Sequence, residues 1–257
     1  MQDIKNKLIV ALDVDTLKEA KKLVRILVPY GIKFFKVGSQ LFTAFGPKAV
    51  EIVGKEGGRV FLDLKFHDIP NTVQNACYSG TSSGIVTFAP AYSFIKAWMS
   101  LGQKVKETVQ YPVFMLTVHT TAGKEALRNA VAGAEARAKE LNIPRPLIVG
   151  VTVLTSENIG ERTESVVLER AGWAKEAGLN GIVCSVHEAA AVRKAYGENF
   201  IIVTPGIRPP GLAAGDQKRV ATAQAALAAG ADYIVVGRPI IEAPDPLKAA
   251  EDIVKAS

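Results

Sequence analysis

Short runs of β-branched and aromatic residues recur along the whole chain, and each is followed by a stretch whose apolar residues fall at helical spacing. The runs are Leu8–Val14, Phe34–Ser39, Val60–Phe66, Val113–His119, Leu147–Thr155, Gly181–Val186, Phe200–Ile207 and Tyr233–Gly237. Strands that alternate with helices in this way pair in parallel, because each helix carries the chain back across the sheet. Eight such units in 257 residues fit an α/β fold closed as a (β/α)8 TIM barrel better than an open doubly wound sheet. Helix-start signals agree. Thr16 precedes a segment with Lys18, Glu19, Lys21 and Lys22 on polar positions, and Asp245-Pro246 opens a last helix at Leu247.

One segment breaks the spacing. Before the fourth strand, residues 84–112 read as a helical insertion, with Phe94, Ile95, Trp98, Met99 and Leu101 spaced for one face of an amphipathic helix. That face packs either on the barrel's outer layer or on another subunit. No repeat, low-complexity linker or composition shift marks a second domain, so residues 1–257 read as one barrel domain.

Composition narrows the function classes. An apolar fraction of 48% with 22% charged residues describes a chain that folds around a sizeable core. No apolar run is long enough to cross a bilayer, and Met1–Lys7 lacks the layout of a signal peptide, so a cytoplasmic protein is expected. Cys77 and Cys184 are far apart in apolar settings and read as core thiols, not as a disulfide or a thiolate metal site. The net charge of +6 is spread beside glutamates and forms no basic run with interleaved aromatics, so an anionic small molecule explains it as well as nucleic acid does.

Candidate chemistry gathers at the strand ends: Asp13, Lys36, Asp63 with Lys65, His119, Thr155, His187, Arg208 and Arg238. In a barrel these ends converge on one mouth, where active sites of the fold lie. Within Asp63-x-Lys65-x-x-Asp68, strand alternation points Asp63 and Lys65 the same way. Burying a charge is costly unless it is paired, so the group is a structural ion pair or a site. As a site, two acids hold the lysine protonated and ready to give a proton to a carbanion. A metal held by Asp63, Asp68 and a histidine is disfavoured, because the ammonium competes with a cation for the same carboxylates.

Thr204-Pro205-Gly206-Ile207-Arg208 and Gly237-Arg238-Pro239 place two guanidinium groups on neighbouring loops, at the usual phosphate corner of such barrels. Gly237 lets its N–H approach an anion closely, and the planar fork of Arg238 can bind two oxygens at once. Pro209–Lys218 reads as a long loop able to fold over a ligand. Nucleotide fingerprints of the Gly-x-Gly-x-x-Gly or Walker type are absent.

Asp63-Leu64-Lys65-Phe66-His67-Asp68-Ile69-Pro70-Asn71-Thr72 resembles the signature of the orotidine 5′-monophosphate decarboxylases. Ala11-Leu12-Asp13, Phe35-Lys36-Val37-Gly38, Val153-Leu154-Thr155-Ser156, Val183–Glu188, Thr204–Arg208 and Val235-Val236-Gly237-Arg238 resemble the family in the same order, over nearly the whole chain apart from the insertion. The resemblance implies removal of CO2 from carbon 6 of the pyrimidine to give uridine 5′-monophosphate, with no cofactor and no metal. It implies Lys65 as proton donor, Asp63 near the departing carboxylate and Lys36 in the charge network. Asp68 completes that network from a partner subunit, so a homodimer with shared sites is implied. Asp13 and Lys36 are implied on the ribose hydroxyls, Ile69 and Thr72 beside Asp68, and Thr155 with Ser156 near the base. Gln217, Gly237 and Arg238 are implied on the phosphate, with Arg208 at the base of the closing loop. Two rivals remain: a magnesium-dependent sugar-phosphate decarboxylase or aldolase with the same Asp-x-Lys-x-x-Asp core, and a non-enzymatic nucleotide-binding protein.

Overall fold

The computed structural model describes residues 2–86, 108–109, 113–154, 156–157, 160–209 and 221–256. Eight parallel strands close into a barrel: β1 (Leu8–Ala11), β2 (Phe34–Gly38), β3 (Arg59–Phe66), β6 (Val113–His119), β7 (Leu147–Val151), β8 (Gly181–Val183), β9 (Ile201–Thr204) and β10 (Tyr233–Val236). Each pairs with its neighbours in that sequence, and β10 returns to β1. Two further short strands, β4 (Ile85–Val86) and β5 (Thr108–Val109), pair antiparallel outside the barrel. The amphipathic face read at 94–101 lies outside the described residues.

Alternation along each strand divides the core in two. Ile9, Ala11, Phe34, Phe61, Met115, Val149, Val203 and Val235 point inward and fill the barrel. Leu8, Val10, Phe35, Val37, Leu62, Leu116, Ile148 and Ile202 belong to the larger cluster between the strands and the surrounding helices. Both faces of each strand are thus buried, which is why the strands read as nearly continuous apolar runs. Cys77 and Cys184 are buried thiols outside any disulfide, and burial pushes the Cys77 thiol up to about 12.

All eight expected runs form strands, but several stop early. β1 ends at Ala11, β7 at Val151, β8 at Val183 and β9 at Thr204, and the residues beyond them leave the ladder to build the mouth. One expectation is corrected here. His187 does not end a strand; it lies in the first turn of helix Val186–Tyr196, because Ser185 and Glu188 form a capping box that starts the helix there. The other start signals hold. Thr16 forms a capping box with Glu19 ahead of helix Leu17–Leu27, and Asp245 accepts the Lys248 N–H ahead of helix Pro246–Lys255.

Helix Pro70–Thr81 continues the Asp63–Thr72 segment and packs closely against helix Lys124–Leu141. The closeness depends on Gly133, where a Cβ would lie 2.2 Å from the main-chain oxygen of Gln74. Backbone cannot yield as a flexible side chain can. Gly133→Ala is therefore expected to destabilise the fold by about 2 kcal/mol, as overpacking does. The measurement is a lowered urea midpoint at unchanged slope, and an unchanged midpoint would contradict this account of the contact.

Candidate active site

The inward positions of the strands climb from apolar to polar. In β1 the row runs Ile9, Ala11 and, beyond the strand, Asp13; in β2 it runs Phe34, Lys36; in β3 it runs Phe61, Asp63. Opposite them Val151, Val153, Val183, Ile207 and Val235 keep one wall apolar. From Ala11, Lys36 and Phe61 upward these residues line a cavity of about 500 Å3 at the C-terminal mouth, a size suited to one small molecule.

A charge array occupies the polar side. The Lys65 ammonium donates to Asp63 Oδ2 at 2.8 Å. Lys36 Nζ lies 3.6 Å from the same oxygen and donates to Asp13 Oδ1 at 3.0 Å. Asp63 is buried, whereas Asp13 and Lys65 keep part of their side chains open to the cavity. Burial alone raises the Asp63 pKa, but the charges of Lys36 and Lys65 and the hydrogen bonds from Lys65 and Thr117 outweigh it and hold the carboxyl below its ordinary range. Gly38 makes room for this array, because a Cβ there would stand 2.8 Å from Lys36 Nζ and 3.2 Å from Asp13 Oδ1.

Asp63 and Lys65 both line the cavity while Leu62, Leu64 and Phe66 pack in the outer cluster, as alternation predicts, but the ladder that carries them is not regular. Leu62 pairs with Leu116 and Phe66 with Val118, so a bulge separates the two points of the β3–β6 ladder. Lys65 sits in that bulge with φ 50, in the left-handed region that side-chain-bearing residues rarely adopt.

The other side of the mouth carries Arg208, Gly237, Arg238 and Glu242. Gly237 caps the four-residue helix Arg238–Ile241, and its missing side chain faces Asp13, whose Oδ2 would be 3.7 Å from a Cβ. The Arg208 N–H donates to Ala221 at 2.9 Å, and the Ala221 N–H donates to Gly206 at 3.2 Å, closing the base of the intervening loop. Arg208 Nε is buried with no hydrogen-bond partner among the described residues. An orphaned guanidinium nitrogen beside a cavity is a ready donor for an anion.

Not every expected residue reaches this cavity. Asp68, Ile69 and Thr72 are exposed and outside its lining; Asp68 Oδ1 accepts the Ile69 N–H at 2.7 Å, and Ile69 is 67% exposed. His119 does end β6, but it stacks on His67 with ring centroids 5.2 Å apart and does not line the cavity. Ser156 lies in an exposed turn while Val153 and Leu154 line the wall. Thr155 and Gln217 lie outside the described residues, as does most of the Pro209–Lys218 loop.

Three residues join the site unannounced. Gln40 lines the cavity and donates to Asp15 Oδ1 at 2.7 Å, and Glu242 lines it beside Pro239. Buried Thr117 bonds to both Asp63 and Lys65. Only Thr117 left a signal in the sequence, as a hydroxyl inside the apolar run Val113–His119.

A closed parallel barrel with a buried carboxylate shared by two lysines, and two arginines on the same cavity, defines a (β/α)8-barrel enzyme. A profile of the Orotidine 5'-phosphate decarboxylase / HUMPS family matches residues 6–110 and 101–253. Among named relatives, Orotidine 5'-phosphate decarboxylase of Moorella thermoacetica is 46% identical over 97% of this chain and 91% of its own length. That of Coxiella burnetii is 40% identical over 97% of this chain and 95% of its own. The crystal structure of Orotidine 5'-phosphate decarboxylase from Lactobacillus acidophilus superposes with a TM-score of 0.73 at 31% identity, covering 97% of this chain and 98% of that one. The chain belongs to the Orotidine 5'-phosphate decarboxylase / HUMPS family.

The Asp63 environment fixes a pH dependence. Its folded pKa lies below the unfolded value of about 4, so the ionised carboxyl stabilises the fold above that pH and the contribution is lost as pH falls through the lowered value. Urea midpoints of wild type and Asp63→Asn should keep a constant difference from pH 7 to 5. Below pH ~4 the wild type should fall faster. Parallel curves down to pH 3 would show that the carboxyl is not depressed.

Proposed function

We propose that the protein decarboxylates orotidine 5′-monophosphate to uridine 5′-monophosphate and CO2, the last step of making that nucleotide, without metal or cofactor. The observation that carries the reading is the Lys36–Asp63–Lys65 array at the mouth of a barrel of this family. When the bond from carbon 6 to the carboxylate breaks, its electron pair stays on carbon 6 and CO2 leaves. The Lys65 ammonium stabilises that charge and then gives carbon 6 a proton, recovering its own from solvent. At 4 Å and an effective dielectric of 20, one such charge pair is worth about 4 kcal/mol, or roughly three powers of ten in rate, so positioning must supply much of the remainder.

Asp63, held ionised, repels the substrate carboxylate in the ground state, and that repulsion is relieved as CO2 departs. Both lysines satisfy the Asp63 carboxylate, which disfavours a metal there and with it the magnesium-dependent alternative. Asp13 and Lys36 take the ribose hydroxyls. Arg238, the Gly237 N–H, Arg208 and Gln217 serve the phosphate, while Thr155 and Ser156 serve the base. Phosphate binding lies far from the reacting carbon, so its energy acts through loop closure and orientation.

Asp68, Ile69 and Thr72 serve the neighbouring subunit's site in a cytoplasmic homodimer that needs no nucleic acid. Their position outside this chain's own cavity, and the exposure of Ile69, support that assignment.

Three measurements test the proposal. Loss of the orotate-type ultraviolet absorbance should be unaffected by chelator, and Lys65→Ala should slow it by about three powers of ten or more; chelator-sensitive turnover would favour the magnesium-dependent rival. Arg238→Ala should raise KM strongly through the phosphate, and unchanged kinetics would remove Arg238 from the site. Lys65→Ala and Asp68→Asn, each inactive alone, should regain about a quarter of wild-type activity when unfolded together and refolded, since random pairing leaves one intact site in each mixed dimer. No recovery, or a monomeric solution mass, would contradict shared sites.

A further inference from the structure

The Thr117 hydroxyl is fully shielded from solvent, and its described partners both belong to the segment that carries the proposed chemistry. The Lys65 N–H donates to it at 2.8 Å, and it donates to Asp63 Oδ1 at 3.0 Å. These bonds sit where the β3–β6 ladder fails. Between the Leu62–Leu116 and Phe66–Val118 pairs, Asp63, Leu64 and Lys65 stand against Thr117 alone. In a regular ladder a main-chain carbonyl would accept from the Lys65 N–H; here a side chain does so.

Among the described residues only Lys65 and Asn142 combine a side chain with positive φ. Asn142 has the ordinary explanation of a left-handed helix C-cap. Lys65 has none of that kind, and such a conformation persists only where its surroundings over-determine it. The hydroxyl also sorts the two oxygens of Asp63: Oδ1 is taken by Thr117, which turns Oδ2 toward Lys65 at 2.8 Å and Lys36 at 3.6 Å.

We propose that Thr117 is a positioning residue of the reaction: its one hydroxyl holds the Lys65 backbone in the left-handed bulge and fixes the Asp63 carboxylate, so that the ammonium is presented to the cavity at a single place. It touches no reacting atom. The inference rests on the decarboxylation proposed above, and it goes further in assigning the geometry of the proton donor to a residue on a different strand.

Thr117→Val keeps the shape and removes both bonds, while Thr117→Ser keeps the hydroxyl. Thr117→Val should lose about 10²-fold in kcat, the scale of an ångström-level misplacement, with KM and the affinity for uridine 5′-monophosphate within about 3-fold of wild type. Thr117→Ser should stay within about 3-fold of wild type in kcat. A merely structural hydroxyl predicts a lowered unfolding midpoint with kcat intact in the folded fraction. Should Thr117→Val fail to fold, Thr117→Ala, which removes the same two bonds, is read in the same way. Retention of kcat in the hydroxyl-free variant, a loss confined to KM, or equal damage in Thr117→Ser would overturn the inference. Wild-type protein that releases no CO2 would instead sink the decarboxylase reading, so the two failures are distinct.

Discussion

The buried carboxylate of Asp63 is the constraint around which the mouth of the barrel is arranged. A lone carboxylate in that position would be neutralised by burial. Two ammonium groups and one hydroxyl keep it charged, and each comes from a different direction: Lys36 from β2, Lys65 from the bulge in β3, Thr117 from β6. Three adjacent strands are therefore tied to one atom pair. The bulge and the side-chain-free position 38 are what let these groups approach without collision. Strain in Lys65 is thus local to the group that the proposed chemistry uses.

The same arrangement separates two kinds of work. Lysines and aspartates crowd one side of the cavity, while Arg208 and Arg238 also line it, with an apolar wall between β7 and β10. A bound nucleotide would be anchored at one end by guanidinium groups and pressed at the other against a fixed carboxylate. Affinity gained at the first end can then offset repulsion at the second, which is how remote binding is turned into rate. The proposed reaction has no electron sink beyond fixed charge, so rigidity matters more here than in a cofactor-dependent site.

Much of this was legible in the sequence, for a physical reason. A parallel barrel buries both faces of its strands, so apolar runs stand out, and the polar residues that interrupt them are few enough to be read as a site; Asp63, Lys65, Lys36 and Arg238 were found that way. Strand ends were read less well. Val186 continues an apolar run but opens a helix, because the capping pair Ser185 and Glu188 outweighs β-propensity, and so His187 was misplaced. His119 was placed on the right strand yet turns to His67, since side-chain direction past a strand end follows loop geometry that periodicity does not encode. Thr117 does not stand out in the sequence because a threonine inside a strand is common, and only the broken ladder gives its hydroxyl a special task.

The motif that runs from Asp63 to Thr72 also changes character halfway. Its first half is buried or half-buried and paired within one chain, whereas past Phe66 the residues His67, Asp68 and Ile69 are exposed. Ile69 stands out, being the large apolar side chain most open to solvent among the described residues, directly after Asp68, whose Oδ1 accepts the Ile69 N–H. In the proposed homodimer a second copy would cover Ile69 and receive Asp68, and the charge array on Asp63 would be complete only on assembly. On the proposed reading, then, the tight contact at Gly133 has a use beyond stability: it fixes the helix that presents the exposed half of the motif, and so sets how accurately one subunit can finish the other's site.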